Sequence, residues 1–234
     1  MTTEILSSAY AGDKKSIARI ISLIENQVDL QLLQAGRAVP VIGITGPPGA
    51  GKSTLVDALI GEYVKDGKSV GVLCVDPSSV VHQGAILGDR IRMSQWFNHD
   101  KVFIRSLSSR GSMGGLHPAI GKIKVFMQAC PFDVILIETV GVGQSEIEII
   151  KHADKTVLVL VPEAGDEIQL MKSGIVEVAD LFVVNKIDRP GSNIFVTQLS
   201  NMLKSTSSSK QVCSTIASKG DGISELKKTI DALI

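Results

Sequence analysis

The chain has 234 residues and carries 24 Lys plus Arg against 24 Asp plus Glu, so its formal net charge is zero. This length suits one α/β domain with a full core, and the even charge balance argues against a nucleic acid or an anionic membrane as a partner. The apolar runs are too short to cross a bilayer, and the three cysteines are odd in number and far apart, which is typical of a reduced, cytoplasmic protein.

The first 38 residues are predicted to form a short N-terminal helical extension. The opening stretch MTTEILSSAYAGDKK has no basic region followed by an apolar stretch, so we expect no signal peptide. Residues 4–36 look helical, with a suitable stop at Gly36. The isoleucines that recur there at helical spacing are Ile17, Ile20, Ile21 and Ile24. Residues 39–234 are predicted to form one further domain.

Seven apolar runs follow residue 39 and alternate with helical stretches. The predicted strands are residues 41–45, 70–75, 102–104, 134–138, 156–161, 181–185 and 211–214. This alternation predicts an α/β fold with a mainly parallel β-sheet flanked by helices. Because such sheets bind ligands at the carboxyl ends of their strands, polar residues that follow a strand are the candidates for function.

The first strand is followed by a glycine-rich run of the pattern G-x-x-x-x-G-K-[ST]. It reads Gly46-Pro47-Pro48-Gly49-Ala50-Gly51-Lys52-Ser53-Thr54. A buried strand before it and a helical stretch after it form the context that a phosphate-binding P-loop requires. Backbone N–H groups and the helix N-terminus can then face a polyphosphate. We predict that these nine residues bind a nucleotide, with Lys52 between the β- and γ-phosphates and the Ser53 hydroxyl on Mg²⁺.

Two acidic residues at strand ends are candidates for magnesium and water. Asp76 can hold Mg²⁺ through water or orient an attacking water, although an Asp before Pro is also a common turn former. Glu138 ends an apolar strand as a Walker B acid does, and Gly141 then takes the position of a switch glycine that bonds the γ-phosphate. Val142 stands where a water-orienting Gln is common. We therefore expect slow intrinsic hydrolysis unless Gln144 or a partner supplies that group.

The sixth strand ends in a motif that reads guanine. It is Asn185-Lys186-Ile187-Asp188, and the Asp188 carboxylate can accept hydrogen bonds from both N1–H and the 2-amino group of guanine. Adenine offers neither donor, and a buried carboxylate left without its partners costs roughly 2–5 kcal/mol. The motif therefore predicts a strong preference for GTP over ATP.

The loop after the seventh strand completes the predicted nucleotide site. It contains Ile216, Ala217 and Ser218, and it occupies the usual place of a Ser-Ala loop whose backbone reads the guanine carbonyl. Ile216 stands where that loop has Ser, so only the backbone contact is expected. The loop at residues 163–169, which follows the fifth strand, has a Gly beside three acids and is by local chemistry either a mobile loop or a solvated helix cap.

Several stretches closely resemble the MeaB/ArgK family of SIMIBI-class P-loop GTPases. Besides the P-loop and the guanine motif, they are residues 75–79, 84–90, 138–146 and 165–169. The most specific is Glu-Thr-Val-Gly-Val-Gly-Gln-Ser-Glu at residues 138–146, and the resemblance covers about residues 10–230. It implies a P-loop GTPase domain at residues 39–234. It also implies a chaperone of an adenosylcobalamin-dependent acyl-CoA mutase, such as methylmalonyl-CoA mutase, that assists cofactor loading and protects the enzyme.

The resemblance also implies roles for individual residues. The expected magnesium region comprises Ser53, Asp76, Asp89 and Glu138, and the expected catalytic residues are Lys52, Asp76, Glu138 and Gly141. Switch segments are expected at residues 78–92, 141–146 and 163–173, the last facing the mutase with Lys172 as a candidate contact. Mg²⁺ would act with GTP as substrate, and no other cofactor is expected on this chain. The family usually dimerises through a C-terminal arm; this chain stops at Ile234, which leaves a homodimer open.

Two other functions share this class of fold. A metallochaperone-type GTPase for a nickel enzyme would need a Cys/His cluster near the switches, and the four His and three Cys show no ligand spacing. A kinase linked to amino-acid transport would need an acid–base site for its acceptor. None is apparent beyond the nucleotide motifs, and Asp188 predicts guanine.

Overall fold

The computed structural model describes residues 2–32, 39–76, 93–109, 116–139, 148–162, 177, 179–205 and 210–234. Seven strands lie within these ranges: β1 (Val41–Thr45), β2 (Val70–Asp76), β3 (Val102–Ser108), β4 (Val134–Glu138), β5 (Lys155–Leu160), β6 (Leu181–Asn185) and β7 (Gln211–Thr215). Six α-helices accompany them: α1 (Thr2–Tyr10), α2 (Lys14–Glu25), α3 (Lys52–Lys65), α4 (Ile120–Ala129), α5 (Ser192–Ser205) and α6 (Ile223–Leu233). None of the helices in these ranges is both long enough and apolar enough to cross a membrane.

The seven strands form one sheet in the order β3-β2-β4-β1-β5-β6-β7, and all of them run parallel. The predicted α/β fold with a parallel sheet flanked by helices is therefore confirmed. Strand β1 lies in the centre, so the P-loop leaves the middle of the carboxyl edge. Ile44 of β1 lies beside Glu138 of β4, which places the candidate acid next to the base of the loop.

Alternate residues of each strand pack into cores on opposite faces of the sheet. On one face, Ile42 and its neighbours pack under α3 and α6. On the other face, Val41 and its neighbours pack under α1, α2 and α4. A third cluster joins β5 and β6 to α5 and consists of Leu158, Leu160, Ala179, Phe182, Val184, Phe195, Leu199 and Leu203. Because the central strands are buried on both faces, nearly every position in them is apolar.

The N-terminal residues form two helices, and the helical prediction for residues 4–36 was too long. The first break comes at Gly12, whose φ of +97° suits a left-handed turn, and Asp13 then caps α2 by accepting a 2.8 Å hydrogen bond from the Ser16 N–H. Hydrogen bonds from Ser16 hold the pKa of Asp13 below its usual value. The second end comes at Glu25, and residues 27–32 are not helical. Gly36, the predicted stop, lies outside the described residues.

The third cluster provides a stability prediction. Phe182 is fully buried between α5 and the sheet, so Phe182→Ala should lower the free energy of unfolding by about 3–5 kcal/mol through lost burial and a residual cavity. Phe97 is 42% exposed, and Phe97→Ala is the matched control, with an expected loss below about 1 kcal/mol. Urea denaturation followed by circular dichroism measures both. Equal losses would contradict the assignment of Phe182 to the core.

Candidate functional site

The P-loop joins β1 to α3 through glycines, two of which combine a positive φ with close neighbours. Gly46 has φ +140°, and a Cβ there would lie 2.1 Å from the carbonyl oxygen of Val159 on β5. Gly51 caps α3 with φ +90°, and a Cβ there would lie 2.5 Å from the amide nitrogen of Asn185. Helix α3 begins at the next residue, Lys52, so the positive end of its dipole lies at the loop, where it favours an anionic ligand.

Lys52 is held inside this loop. Its side chain is only 6% exposed, and its ammonium donates to the carbonyl oxygens of Gly46 at 2.8 Å and of Pro47 at 3.0 Å. These contacts direct the charge back over the loop, where the sequence predicts the phosphates. The arrangement places a buried cation beside the N-terminus of α3, which suits a polyanionic ligand.

A hydroxyl and a carboxylate meet beside the loop. Ser53, on the first turn of α3, donates from its hydroxyl to Oε1 of Glu138 at 2.6 Å, and both residues are buried. Below them, the Thr139 hydroxyl donates to the Thr45 hydroxyl at 2.9 Å and joins the ends of β4 and β1. Carboxylate and hydroxyl oxygens are the hard ligands that Mg²⁺ prefers, so the Ser53 and Glu138 pair fits the predicted metal.

The other predicted magnesium and switch residues are less fully placed. Asp76 ends β2, two residues beyond Cys74, which is the neighbour of Glu138 in the sheet. The backbone of Asp76 is therefore at the right edge, and its role stays a prediction. Outside the described residues lie Asp89, Gly141, Val142, Gln144 and Lys172, together with the expected switches at residues 78–92, 141–146 and 163–173.

Asn185 is a buried brace between the P-loop and the loop after β7. Its amide nitrogen donates to the carbonyl oxygen of Ala50 at 2.9 Å. Its amide oxygen accepts from the Thr215 hydroxyl at 3.1 Å and from the Ala217 N–H at 3.0 Å. With 2% exposure, Asn185 has all of these contacts away from solvent. This side chain therefore fixes the distance between the two loops that the sequence assigns to opposite ends of a nucleotide.

The next residues reach the surface. Lys186 adopts a left-handed φ of +59° and donates from its ammonium to the carbonyl oxygen of Gly49 at 2.6 Å. Asp188 is exposed, and its carboxylate lies 3.4 Å from the ammonium of Lys219. A carboxylate held at the rim in this way is accessible to a base that enters from solvent.

The backbone of the loop at residues 216–218 is partly used by the protein itself. The Ile216 N–H donates to the carbonyl oxygen of Asp221 at 3.1 Å, and the Ala217 N–H donates to Asn185. Among the described residues nothing accepts from the Ser218 N–H. Ser218 is therefore the donor of this loop that is available to a base carbonyl, and the predicted guanine contact stays a prediction.

The residues that sequence reasoning missed are those that support the site. Thr45 and Thr139 carry a visible signal, because each immediately adjoins a predicted functional residue at the end of its strand. The contact of Asn185 with Ala50 and that of Lys186 with Gly49 have no sequence signal beyond the motif itself.

A second kind of metal site is not formed by the described residues. Within these ranges no group of three or more His, Cys, Asp or Glu could hold a metal ion. Burial raises the pKa of the Cys130 thiol to about 12 and also raises the pKa of Cys213, so neither is a ready thiolate ligand. His82 lies outside the described residues.

Glu138 provides a metal-dependence prediction. Glu138→Gln should raise the Mg²⁺ concentration needed for nucleotide binding by about 10–100-fold, since it removes the charge beside Ser53. Titrating Mg²⁺ at a fixed concentration of a fluorescent GTP analogue measures the shift. Glu148→Gln is the control, because Lys151 is the ion-pair partner of Glu148 among the described residues, in a 2.8 Å surface salt bridge. An unchanged requirement in Glu138→Gln would remove this residue from the metal site.

A P-loop between a central strand and its helix, in a parallel sheet with these strand-end residues, defines a P-loop NTPase. The chain belongs to the MeaB family, because the family model described as "Methylmalonyl Co-A mutase-associated GTPase MeaB" matches residues 17–233. This confirms the resemblance found in the sequence.

Relatives in both archaea and bacteria support this assignment. A protein of Pyrococcus horikoshii with a provisional GTPase name is 42% identical over an alignment of 240 residues, gaps included. This alignment covers 97% of this chain and 76% of that protein. The GTPase ArgK of Escherichia coli is 38% identical over 188 residues, covering 76% of this chain and 56% of ArgK. The fused isobutyryl-CoA mutase of Cupriavidus metallidurans is 39% identical over 197 residues, covering 80% of this chain and 18% of the mutase.

Solved structures share the fold. A crystal structure named LAO/AO transport system kinase matches with a TM-score of 0.72 and 24% identity, covering 99% of this chain and 74% of that one. HypB from Helicobacter pylori, solved in complex with nickel, matches with a TM-score of 0.62 and 17% identity, covering 83% of this chain and 86% of that one. At these identities the likeness concerns the fold alone.

Proposed function

We propose that this protein binds and hydrolyses GTP and acts as a chaperone of an adenosylcobalamin-dependent acyl-CoA mutase. The observation that carries the nucleotide part is the gathering of Lys52, the Ser53 and Glu138 pair and Asp188 at one edge of the sheet. The brace at Asn185 holds the phosphate end and the base end of this edge together.

In the proposed reaction, a water oxygen attacks the γ-phosphorus in line with the leaving oxygen of GDP. The bond from the γ-phosphorus to the β,γ-bridging oxygen breaks, and GDP and inorganic phosphate are released. Lys52 and the loop N–H groups stabilise charge on the phosphoryl oxygens. Ser53 and Glu138 would hold Mg²⁺, which supplies further neutralisation of the β- and γ-oxygens when bound. Asp76 or a group of the partner orients the water, so we expect a slow rate in the absence of the partner.

The mutase part of the proposal is supported by two of the comparisons. The matching family is described by its association with methylmalonyl-CoA mutase, and one relative carries a segment similar to this chain within a fused isobutyryl-CoA mutase. A segment that is covalently linked to a mutase in one protein is a reasonable partner of a separate mutase in another. A chaperone that uses GTP beside an acyl-CoA mutase would work in the cytoplasm.

The test is the rate of GTP hydrolysis by the purified protein alone and with each candidate cobalamin-dependent mutase from the same organism. A mutase that raises the rate at least tenfold, and that keeps its activity longer when this protein and GTP are present, would support the proposal and identify the partner. A GTPase indifferent to every such mutase would contradict the chaperone role and leave the nucleotide role intact.

A further inference from the structure

The single tryptophan of the chain is bound to the helix that begins with Lys52 and Ser53. Trp96 lies in the 3₁₀ turn Ser94–Trp96, and its indole N–H donates to Oδ1 of Asp57 at 2.7 Å. Gln95 donates from its side-chain amide to both oxygens of the same carboxylate, at 3.0 and 3.1 Å. One carboxylate of α3 therefore accepts three hydrogen bonds from two consecutive residues of this turn.

Apolar packing also joins this turn to α3. The Trp96 ring covers Gly61, where an added Cβ would lie 3.6 Å from the ring. Met93, at the start of the turn, is fully buried in the core that α3 shares. Hydrogen bonds and apolar contacts thus join the turn to one side of α3, and a movement of that side would be transmitted to the turn.

Asp57 lies one helical turn from the residues that are predicted to bind the nucleotide. It follows Ser53 by four residues on α3, so the two side chains lie on the same face of the helix, one turn apart. Ser53 in turn contacts Glu138 at the predicted magnesium site. A ligand that engages Ser53 and Lys52 acts on the first turn of a rigid helix, and Asp57 is on the second.

The turn is also joined to α2, through His99. The carbonyl oxygen of His99 accepts from the ammonium of Lys14 at the start of α2, and the His99 ring packs edge-on against Trp96 with centroids 5.6 Å apart. Phe97, in the same segment, is 42% exposed. The segment at residues 93–99 therefore connects α3 to the start of α2 and itself presents an aromatic side chain to solvent.

We propose that Asp57 is a positioning residue that couples nucleotide binding at the start of α3 to the 93–99 segment, with Trp96 reporting the nucleotide state. The proposal rests on the proposed function in one respect, namely that Mg²⁺ and GTP bind at Lys52 and Ser53. A ligand shifts an equilibrium between two positions of the 93–99 segment only by the difference in its affinity for the protein in each of them. This coupling is reciprocal, so a change in the segment also changes the affinity for the ligand. Loss of the Asp57 contacts should therefore change GTP affinity although Asp57 does not touch the nucleotide.

The experiment uses the full chain and two readouts. Intrinsic emission, excited at a wavelength that tyrosine does not absorb, reports Trp96 alone, since it is the only tryptophan beside two tyrosines. A fluorescent GTP analogue measures affinity in the presence of Mg²⁺ in a separate titration. We expect GTP to change the emission of the wild type. Asp57→Ala should abolish most of that change and weaken GTP affinity at least about fivefold, within the usual range of coupling between sites. Asp57→Asn keeps one acceptor oxygen and should restore part of both.

The matched control is Glu62→Ala, on the same helix, where Glu62 forms a 2.6 Å salt bridge with the exposed Lys65 and with no other residue that the structure describes. It should leave emission and affinity unchanged. If Asp57→Ala lowers the melting temperature but keeps wild-type affinity and emission response, the contact is merely structural and the proposal is overturned. Binding of GTP by the wild type with no change in emission would also overturn it. A wild type that binds no GTP at all would refute the proposed function, and this inference with it.

Discussion

Lys52→Ala should lower the affinity for GTP by at least about 100-fold. The ammonium is buried and held over the P-loop by the carbonyl oxygens of Gly46 and Pro47, where the sequence predicts the β- and γ-phosphates. Hydrogen bonds to charged groups contribute about 1.5–3 kcal/mol each, and every 1.4 kcal/mol is a factor of ten in affinity. Titration with a fluorescent GTP analogue in the presence of Mg²⁺ measures the loss.

Lys65→Ala is the matched control for this substitution. Lys65 ends the same helix, its side chain is 74% exposed, and within the described ranges its ion pair is with Glu62 alone, so its removal should leave GTP affinity unchanged. The melting temperature of both variants without nucleotide shows whether either fails to fold. A folded Lys52→Ala protein that bound GTP as the wild type does would refute the P-loop assignment.

Asp188→Asn should remove most of the discrimination between guanine and other purines. The carboxylate of Asp188 can accept from both guanine donors, whereas an amide can accept from only one and presents its own donor to the other. GTP affinity should therefore fall by about 30-fold or more, in line with a cost of about 2–5 kcal/mol for such contacts. Xanthosine triphosphate has a carbonyl in place of the 2-amino group, so its affinity should rise.

Competition of GTP, ATP and xanthosine triphosphate against one fluorescent analogue measures these changes in affinity. Asp100→Asn is the control for a surface Asp, because Asp100 is exposed just before β3 and should leave all three affinities unchanged. A nucleotide preference that is the same in Asp188→Asn as in the wild type would exclude the assigned role.

The strands could be predicted from the sequence because most of them are buried on both faces. β1, β4 and β6 are buried at every position, so each forms an apolar run up to its polar last residue. β3 was predicted to end at residue 104 and continues to Ser108. Arg105 interrupts its apolar run, because this edge strand turns Arg105 toward Ser22 and Glu25 of α2, where its guanidinium donates to both.

The N-terminal helices show the opposite case. The isoleucine spacing correctly identified the buried stripe of α2, with Ile17, Ile20, Ile21 and Ile24 all buried. The same spacing concealed the break before α2, although Gly12 followed by the capping Asp13 is a common signal for a new helix. The turn chemistry of these two residues, and not the helical periodicity, marks the boundary between α1 and α2.

The sequence predicts which residues of the site lie at the carboxyl ends of strands. Parallel strands bring their carboxyl ends to one edge, so Glu138 and the P-loop share that edge in any sheet of this kind. The pairing of β4 with β1, which places Glu138 directly beside the loop, depends on the order of the strands. The brace from Asn185 to Ala50 joins residues 135 positions apart and spans from β6 to β1 across β5. It depends on the order of the strands, which no local pattern encodes.

The rate of phosphate release from GTP and from ATP, measured with and without Mg²⁺ on one preparation, tests the central claim most directly. We predict slow hydrolysis of GTP that requires Mg²⁺ and disappears in Lys52→Ala, with ATP used at least about 100-fold less efficiently. Equal or faster hydrolysis of ATP, or a rate that persists in Lys52→Ala, would contradict the assignment of this edge of the sheet as a guanine nucleotide site.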